Sequence, residues 1–408
     1  MTSNSSIVSG KVDVARNERS IAEAKLAVAD SGLSLSGEDV RDDLSREVYC
    51  ILGMPIDVID MPNMLHRIAF AAATGSRLFL STPNLNYLVN CQSDIEFRDS
   101  LMLSDLSPVD GMPIVWLGRL LGVPIKERVA GSDIFAALKC KGLRGHDRPL
   151  KLFLFGGDEG VVEAASHSIN VAQGGVQCVG WYYPGFSSVE ELSRDSIIDT
   201  INTSEADFLV VCLGSVKGQL WLKRNSLRLR IPIRAHLGAA IKFEAGTVRR
   251  APVVLQKIGL EWLWRIKEER RLWARYWRDG QILIRLLYSQ VLPLAMYNLT
   301  TLKTSKTQFS LHCERHGDCA NLKIRGVAAK NNVGSIIASL REALSKNNRI
   351  VIDLTDTCAI DARFLGLLLI CKKMTILNNV ELTLTGVSST LERIFRLNGV
   401  DFLLAATA

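Results

Sequence analysis

Asp110 is the residue on which a reaction can be built. It stands in Leu106-Ser-Pro-Val-Asp110-Gly111-Met-Pro, where an apolar run ends in a carboxylate and a glycine at the head of a predicted helix. A carboxylate so placed can serve as a general base. Thr82 and Asn84 come from a similar junction, Ser81-Thr-Pro-Asn84-Leu-Asn86. A third, Arg128-Val-Ala-Gly131-Ser132-Asp133, supplies Arg128, Gly131 and Asp133. In open α/β sheets, ligands bind beyond the carboxyl ends of strands, where helix N-termini offer N–H groups to anions. Three such ends between Ser81 and Asp133 predict one composite pocket.

Two glycine turns add to this set. Lys151-Leu-Phe-Leu-Phe155-Gly156-Gly157-Asp158 is a buried-strand pattern ending in glycines before a helix, which lets backbone N–H groups approach a phosphate. A tight turn that only glycine can adopt explains the same pair. Leu213-Gly214-Ser-Val-Lys217-Gly218-Gln219 repeats the arrangement with a lysine beside it.

The elements that must position these residues alternate. Strands are expected at Arg77–Ser81, Lys151–Phe155, Val176–Val179, Asp207–Leu213 and Ile231–Arg234. Helices are expected at Pro83–Cys91, Ile114–Leu121, Ser132–Lys141, Glu159–Ala172, Glu190–Asn202 and Gln219–Leu227. This alternation predicts an α/β fold, a Rossmann-like, mainly parallel sheet with helices on both faces.

With 408 residues, 48% of them apolar, the chain has room for more than one packed domain. Its nine cysteines lack C-x-x-C spacing, which favours reduced thiols in a cytoplasmic compartment. Residues 1–45 read as a mobile leader with a helical patch at Ile21–Ala29, and Met1–Ser20 has no apolar run of the signal-peptide kind. No stretch reaches the uninterrupted apolar length expected of a membrane span. The closest, Ile282–Leu299, is interrupted by Arg285, Gln290 and Pro293.

Residues 221–285 carry sixteen Lys/Arg against five Asp/Glu, an excess greater than the +7 of the whole chain. Five of the seven tryptophans, Trp221, Trp262, Trp264, Trp273 and Trp277, lie there too. On one helix beginning near Gly259, Trp262, Ile266, Trp273, Trp277 and Ile284 would share a face flanked by Lys267, Arg271, Arg275 and Arg278. Nucleic-acid binding would use the charge, but no nucleic-acid motif accompanies it. A solvated helix packed on the domain explains the arginines but leaves the tryptophans partly unexplained; a helix lying on an anionic membrane surface uses both, and is the preferred reading.

From Val48 to Leu287 the chain resembles the WecG/TagA/CpsF group of bacterial glycosyltransferases (glycosyltransferase family 26). The resemblance rests on Thr82-Pro-Asn84, Pro108-Val-Asp110-Gly111, Arg128-x-x-Gly131-x-Asp133, Phe155-Gly-Gly157, Leu213-Gly214 and Gly246-x-x-x-Arg250-Ala-Pro252. It closes with Gly259-x-Glu261-Trp262-x-x-Arg265 and Arg271-Leu-x-x-Arg275-Tyr276. It implies an inverting transferase moving an N-acetylmannosamine-type or related hexosyl unit from a UDP-sugar to a polyprenyl-diphosphate-linked sugar acceptor, in surface polysaccharide biosynthesis. The enzyme would work at the cytoplasmic face of the cell membrane, as a peripheral protein, without metal or other cofactor.

The resemblance puts the catalytic base on Asp110, with Thr82, Asn84 and Arg128 beside it. Gly111, Gly131, Asp133, Gly156, Gly157, Gly214, Lys217 and Gln219 would hold the nucleotide sugar. Arg249, Arg250, Arg265, Arg271 and Arg275 would meet the lipid diphosphate. The chain departs from the family pattern at Gly218, where glutamine is usual, and at Lys242, where aspartate is usual. Both departures bear on the donor.

After a linker expected over 291–308, with its polar part at Thr300–Thr307, residues 309–408 read as a second α/β unit. Ile350-Val-Ile-Asp353-Leu-Thr and Ile360-Asp361-Ala362-Arg363-Phe-Leu365-Gly366 resemble the STAS domain of anti-sigma-factor antagonists. Arg363 stands where those regulators carry a phosphorylated serine, so the resemblance implies a docking module without the switch and with a protein partner. Few contacts are expected to cross the linker. His312-Cys313-x-x-His316-x-x-Cys319 fits no common zinc spacing. The domains expected are therefore a leader (1–45), a transferase (46–290, its basic helices about 247–290), the linker and the STAS-like unit; self-association stays open.

Two rival functions remain. A regulatory binding protein would sense a UDP-sugar and act through the STAS-like unit, but a sensor has no use for a base. A nicotinamide-dependent oxidoreductase would need G-x-G-x-x-G after its first strand, and the chain lacks it there.

Overall fold

The computed structural model describes residues 42–143, 148–302, 307–378 and 380–404. The leader up to residue 41, with its patch at Ile21–Ala29, and linker residues 303–306 lie outside them.

The chain forms two compact units. One, here the sheet unit, is built of Met61–Leu80 and Gly131–Thr247. The other, the composite unit, is built of Asp43–Asp60, Ser81–Ala130 and the chain from Val248 onward.

In the sheet unit Leu78–Leu80, Ile233–His236, Phe208–Cys212, Leu150–Gly156 and Val176–Tyr182 lie side by side in that order, every pair parallel. Phe208–Cys212 is buried throughout, which is why it reads as an unbroken apolar run rather than an alternating one. Each expected strand is found, with shifted ends. The helix expected over Glu190–Asn202 is broken at Arg194, whose ψ of 148° is extended; a 3₁₀ turn, Glu191–Ser193, precedes the helix Asp195–Asn202. Phe155 and Trp221 pack with ring centres 4.5 Å apart in the core, and the Trp221 indole donates to the Leu192 carbonyl at 2.9 Å.

The composite unit begins with an antiparallel hairpin, Val48–Ile51 with Met54–Asp57. All eight strand residues are buried, so the hairpin has no polar face and shows no alternation in sequence. Leu52 and Gly53 both take positive φ in its turn.

The basic stretch is not one helix. Glu269 leaves helical geometry (φ −126°, ψ 84°), separating Glu261–Glu268 from Trp273–Leu286. Trp262 and Ile266 therefore belong to one helix and Trp273, Trp277 and Ile284 to the next, which corrects the single stripe.

From Arg270 the chain stays helical to Leu302, a 33-residue run long and apolar enough, by length and composition, to cross a membrane. This corrects the sequence reading: Pro293 does not end the run, and a π turn, Leu287–Val291, directly precedes its segment Leu292–Tyr297. The segment expected to open the linker, 291–302, is thus helical.

In the carboxyl-terminal domain Arg349–Asp353 lies between Cys319–Ala328 and Glu381–Thr385, parallel to both. Cys319–Ala328 pairs antiparallel with Ser310–His316 along most of its length and parallel with Thr357–Ile360 at its end. Gly326 marks the change: a Cβ there would meet the Gln308 carbonyl oxygen at 2.5 Å.

The helix Ala362–Asn378 is buried from Arg363 to Cys371 without interruption, and again at Lys373 and Thr375. Such a helix is covered on every side. Part of its cover is the amino-terminal hairpin. A Cβ on Gly366 would lie 2.2 Å from the Val48 carbonyl oxygen, so the two backbones touch only because residue 366 is glycine. Arg363 donates to the carbonyls of Val48 (2.9 Å) and Arg46 (3.1 Å). The residue read as a lost phosphoswitch is a clamp between this helix and the hairpin. The expectation of few contacts across the linker fails here.

Candidate active site

Three extended segments of the composite unit lie edge to edge and deliver the predicted catalytic residues. Ser81 N–H donates to the Leu106 carbonyl (2.9 Å), Asp110 N–H to the Pro83 carbonyl (2.8 Å), and Val129 N–H to the Val109 carbonyl (2.9 Å). Thr82, Asn84, Asp110 and Arg128 are thereby held in one backbone ladder.

Local sequence explains each turn out of it. Asn84 caps the helix Leu85–Cys91, its side-chain oxygen accepting from Asn86 N–H (3.0 Å) and Tyr87 N–H (3.3 Å). Gly111 takes φ 101°, a conformation glycine adopts without strain, and Pro113 then starts the helix Met112–Leu120. A Cβ on Gly111 would sit 3.7 Å from the Asn84 Cβ, so the two helix starts are neighbours. Burial pushes the Tyr87 phenol above its ordinary range, and the negative charge of Asp110 adds to the shift. Tyr87 therefore stays neutral beside Asp110.

Arg128 is paired with Glu261, Nη1 to Oε2, at 2.7 Å. Glu261 stands in the motif Gly259-x-Glu261-Trp262, and a carboxylate inside so basic a stretch is the signal in the sequence for such a pair. Asp279 was missed outright. It is buried and accepts from the Asn86 amide at 3.1 Å, tying the helix Trp273–Leu286 to the helix that Asn84 caps.

Among the arginines expected at a lipid diphosphate, Arg265 and Arg271 both pair with Glu269, at 2.9 and 3.1 Å. Arg275 lies over the Tyr276 ring, 5.1 Å from its centre. Arg249 is exposed, and Arg250 half-buried.

The predicted nucleotide-sugar residues Gly131, Asp133, Gly156, Gly157, Gly214, Lys217 and Gln219 belong to the sheet unit, whereas Gly111 belongs to the composite unit. Gly156 and Gly157 both take positive φ, and Leu213 packs against Gly156, where a Cβ would meet its Cδ2 at 2.7 Å. The two glycine turns are thus adjacent, as expected from strands that pair along Phe155 and Val211. Lys217 donates to the Ser187 carbonyl at 2.8 Å. Gln219 is wholly buried.

Both departures from the family pattern have local reasons. The helix Ser215–Arg224 passes so close to His236 that a Cβ on Gly218 would lie 2.5 Å from the imidazole Cδ2. The ring is itself bonded to the Leu213 carbonyl, and burial lowers its pKa. Gly218→Ala should lower stability by about 1–3 kcal/mol, the usual cost of overpacking, read as a fall in the thermal midpoint. An unchanged midpoint would mean that His236 moves aside freely. Lys242 pairs with Asp158 at 3.2 Å, so the unusual cation is matched by an anion on the glycine turn. Among the described residues no group of three His, Cys, Asp or Glu is placed to hold a metal ion.

A family model, the glycosyl transferase WecG/TagA/CpsF family, matches residues 49–295, and a second, Mlab, STAS domain, matches residues 311–405. Curated relatives include the N-acetylglucosaminyldiphosphoundecaprenol N-acetyl-beta-D-mannosaminyltransferases of Staphylococcus aureus strains MW2 and NCTC 8325 / PS 47. Each is 24% identical over 258 residues, 62% of this chain and 92% of the relative. The corresponding protein of strain MRSA252 is 23% identical over the same length.

Proposed function

The chain belongs to the WecG/TagA/CpsF family of glycosyl transferases, and on that premise we propose that it moves an N-acetylmannosamine-type or related hexosyl unit from a UDP-sugar to a polyprenyl-diphosphate-linked sugar acceptor. The product would feed a surface polysaccharide. The observation that carries this reading is the ladder that seats Asp110 beside Asn84 with the segment of Arg128 next to it.

In an inverting transfer the acceptor hydroxyl oxygen bonds to the anomeric carbon while Asp110 takes its proton. The bond from that carbon to the donor phosphate breaks, and UDP leaves with the electron pair. Arg128 offsets the charge gathering on the diphosphate, and Glu261 holds its guanidinium ready. Arginines and helix N-termini do this work without a metal ion. A set of radiolabelled UDP-sugars offered with polyprenyl-diphosphate acceptor, with and without EDTA, tests the reading. Label should pass to the lipid from one of them and survive chelation. Loss on chelation with recovery in Mg²⁺ or Mn²⁺ would contradict the metal-free mechanism.

The enzyme works on the inner membrane face as a peripheral protein. Trp273 and Trp277 stack with centres 5.8 Å apart although both are more than half exposed, and Ile284, Tyr288, Met296 and Leu299 continue the exposed side. On the other side Leu286, Val291 and Leu294 are buried, and the Asn298 amide donates to the Leu121 carbonyl at 2.9 Å. A helix fastened along the protein on one side and apolar on the other suits a membrane surface better than a crossing. Binding to anionic vesicles should gain about 1 kcal/mol per basic residue near the surface and weaken in high salt. Replacing Trp273 and Trp277 by serine should weaken it further. Equal binding to neutral and anionic vesicles would assign the arginines to fold or substrate instead.

A further inference from the structure

We propose that Lys373 of the STAS domain is a positioning residue of the transferase, holding through a buried line of charges the backbone segment that carries Asp110. Its ammonium lies 2.7 Å from Asp105 Oδ1, 3.2 Å from the Ser104 carbonyl and 2.8 Å from Asp43 Oδ2. The other oxygen of Asp43 accepts from Arg46 Nη1 at 2.8 Å. Arg46 grips both oxygens of Asp57, at 3.0 and 2.8 Å, and also donates to the Ser104 carbonyl at 3.0 Å. Asp57 Oδ2 in turn accepts from Ser107 N–H at 2.6 Å, and Asp57 N–H donates to the Ser107 carbonyl at 2.9 Å.

Charges alternate along this line, Lys373, Asp43, Arg46, Asp57, and three of the four bond directly to residues 104–107. The segment then runs through Pro108 and Val109 to Asp110, whose own N–H is fixed on Pro83. The side chains of Lys373, Arg46 and Asp57 are at most 4% exposed. Burial pushes the Asp43 carboxyl up, but the Arg46 and Lys373 charges outweigh it and leave it below its ordinary value. Asp43 is therefore ionised at neutral pH.

Ions buried this deeply are seldom the most stabilising filling for a core. Buried ionic groups of this kind can fix one arrangement among several, and here what they hold is the extended segment that leads to Asp110. A misplacement of the base by about 1 Å is enough to cost roughly a hundredfold in rate.

The inference rests on the transferase reading, so its test has one readout that does not. Full-length wild type, Lys373→Met and Lys373→Arg are compared by amide hydrogen exchange and by kcat and KM for donor. Lys373→Met should speed exchange at Ser107 and Asp110 by about tenfold while the strand Leu150–Gly156 keeps its protection. Its kcat should fall about 10–100-fold with donor KM within about threefold, and Lys373→Arg should restore both. Unchanged exchange at 104–110, or a fall in rate that only tracks the folded fraction, would overturn the proposal. Should Lys373→Met not fold, Asp105→Asn decides. Its carboxylate is 34% exposed, and faster exchange at 104–107 with lowered kcat is expected, while wild-type values would overturn the idea. A wild type that transfers no sugar would sink the functional reading while the exchange data still decide the coupling.

Discussion

Asp110→Asn should lower turnover by roughly 10²–10⁴-fold, the usual weight of a general base, and leave the fold and UDP affinity intact. The backbone ladder and the helix start at this residue are both made by groups other than the carboxylate. The ladder at this residue uses its backbone N–H, and the helix start beyond it is made by Gly111 and Pro113. Asparagine keeps the shape and cannot take the acceptor's proton. Steady-state kinetics with donor and lipid acceptor, beside a UDP-binding isotherm, separate the two effects. Turnover within about threefold of wild type would remove Asp110 from the mechanism.

Deleting the STAS domain should have an effect at least as large, by a different route. A chain ending at residue 305 would uncover the hairpin Val48–Asp57, all of whose strand residues are now buried. Two strands alone are marginally stable in water. The deletion also leaves Asp43 and Asp105 without the Lys373 cation and the Arg46 and Val48 carbonyls without the Arg363 donors. Breaking a buried ion pair from one side alone costs about 3–5 kcal/mol, a large part of an ordinary domain's stability. The shortened chain should therefore aggregate or unfold without cooperativity, and lose at least about a hundredfold in transfer. Circular-dichroism melting and the transfer assay on both chains check this. A 1–305 chain that melts cooperatively and transfers sugar at the wild-type rate would show that the STAS domain is a detachable module after all.

What could be read in advance followed from local rules. Strands such as Leu150–Gly156 announce themselves as apolar runs ended by glycine, and Ser81-Thr-Pro-Asn84 announces a capped helix. The hairpin could not be read so, because covering both its faces erases the period-two signal. Nor could the break at Glu269, which no glycine or proline marks. The meaning of Arg363 and Lys373 is set by groups more than two hundred and fifty positions away in the chain, Val48 and Ser104. From sequence alone the first looked like a lost serine, and nothing singled out the second. Lys242 and Gly218, read as departures touching the donor, became intelligible once Asp158 and His236 were in place beside them.

Inverting transfer with Asp110 as its base is tested most directly by full-length protein on vesicles with polyprenyl-diphosphate-linked acceptor and the UDP-sugar it accepts, with the product's anomeric configuration read by NMR. Glycosyl-lipid of the configuration opposite to the donor should be formed by the wild type and be nearly absent with Asp110→Asn. Retention of the donor's configuration, or equal product from the asparagine variant, would contradict it.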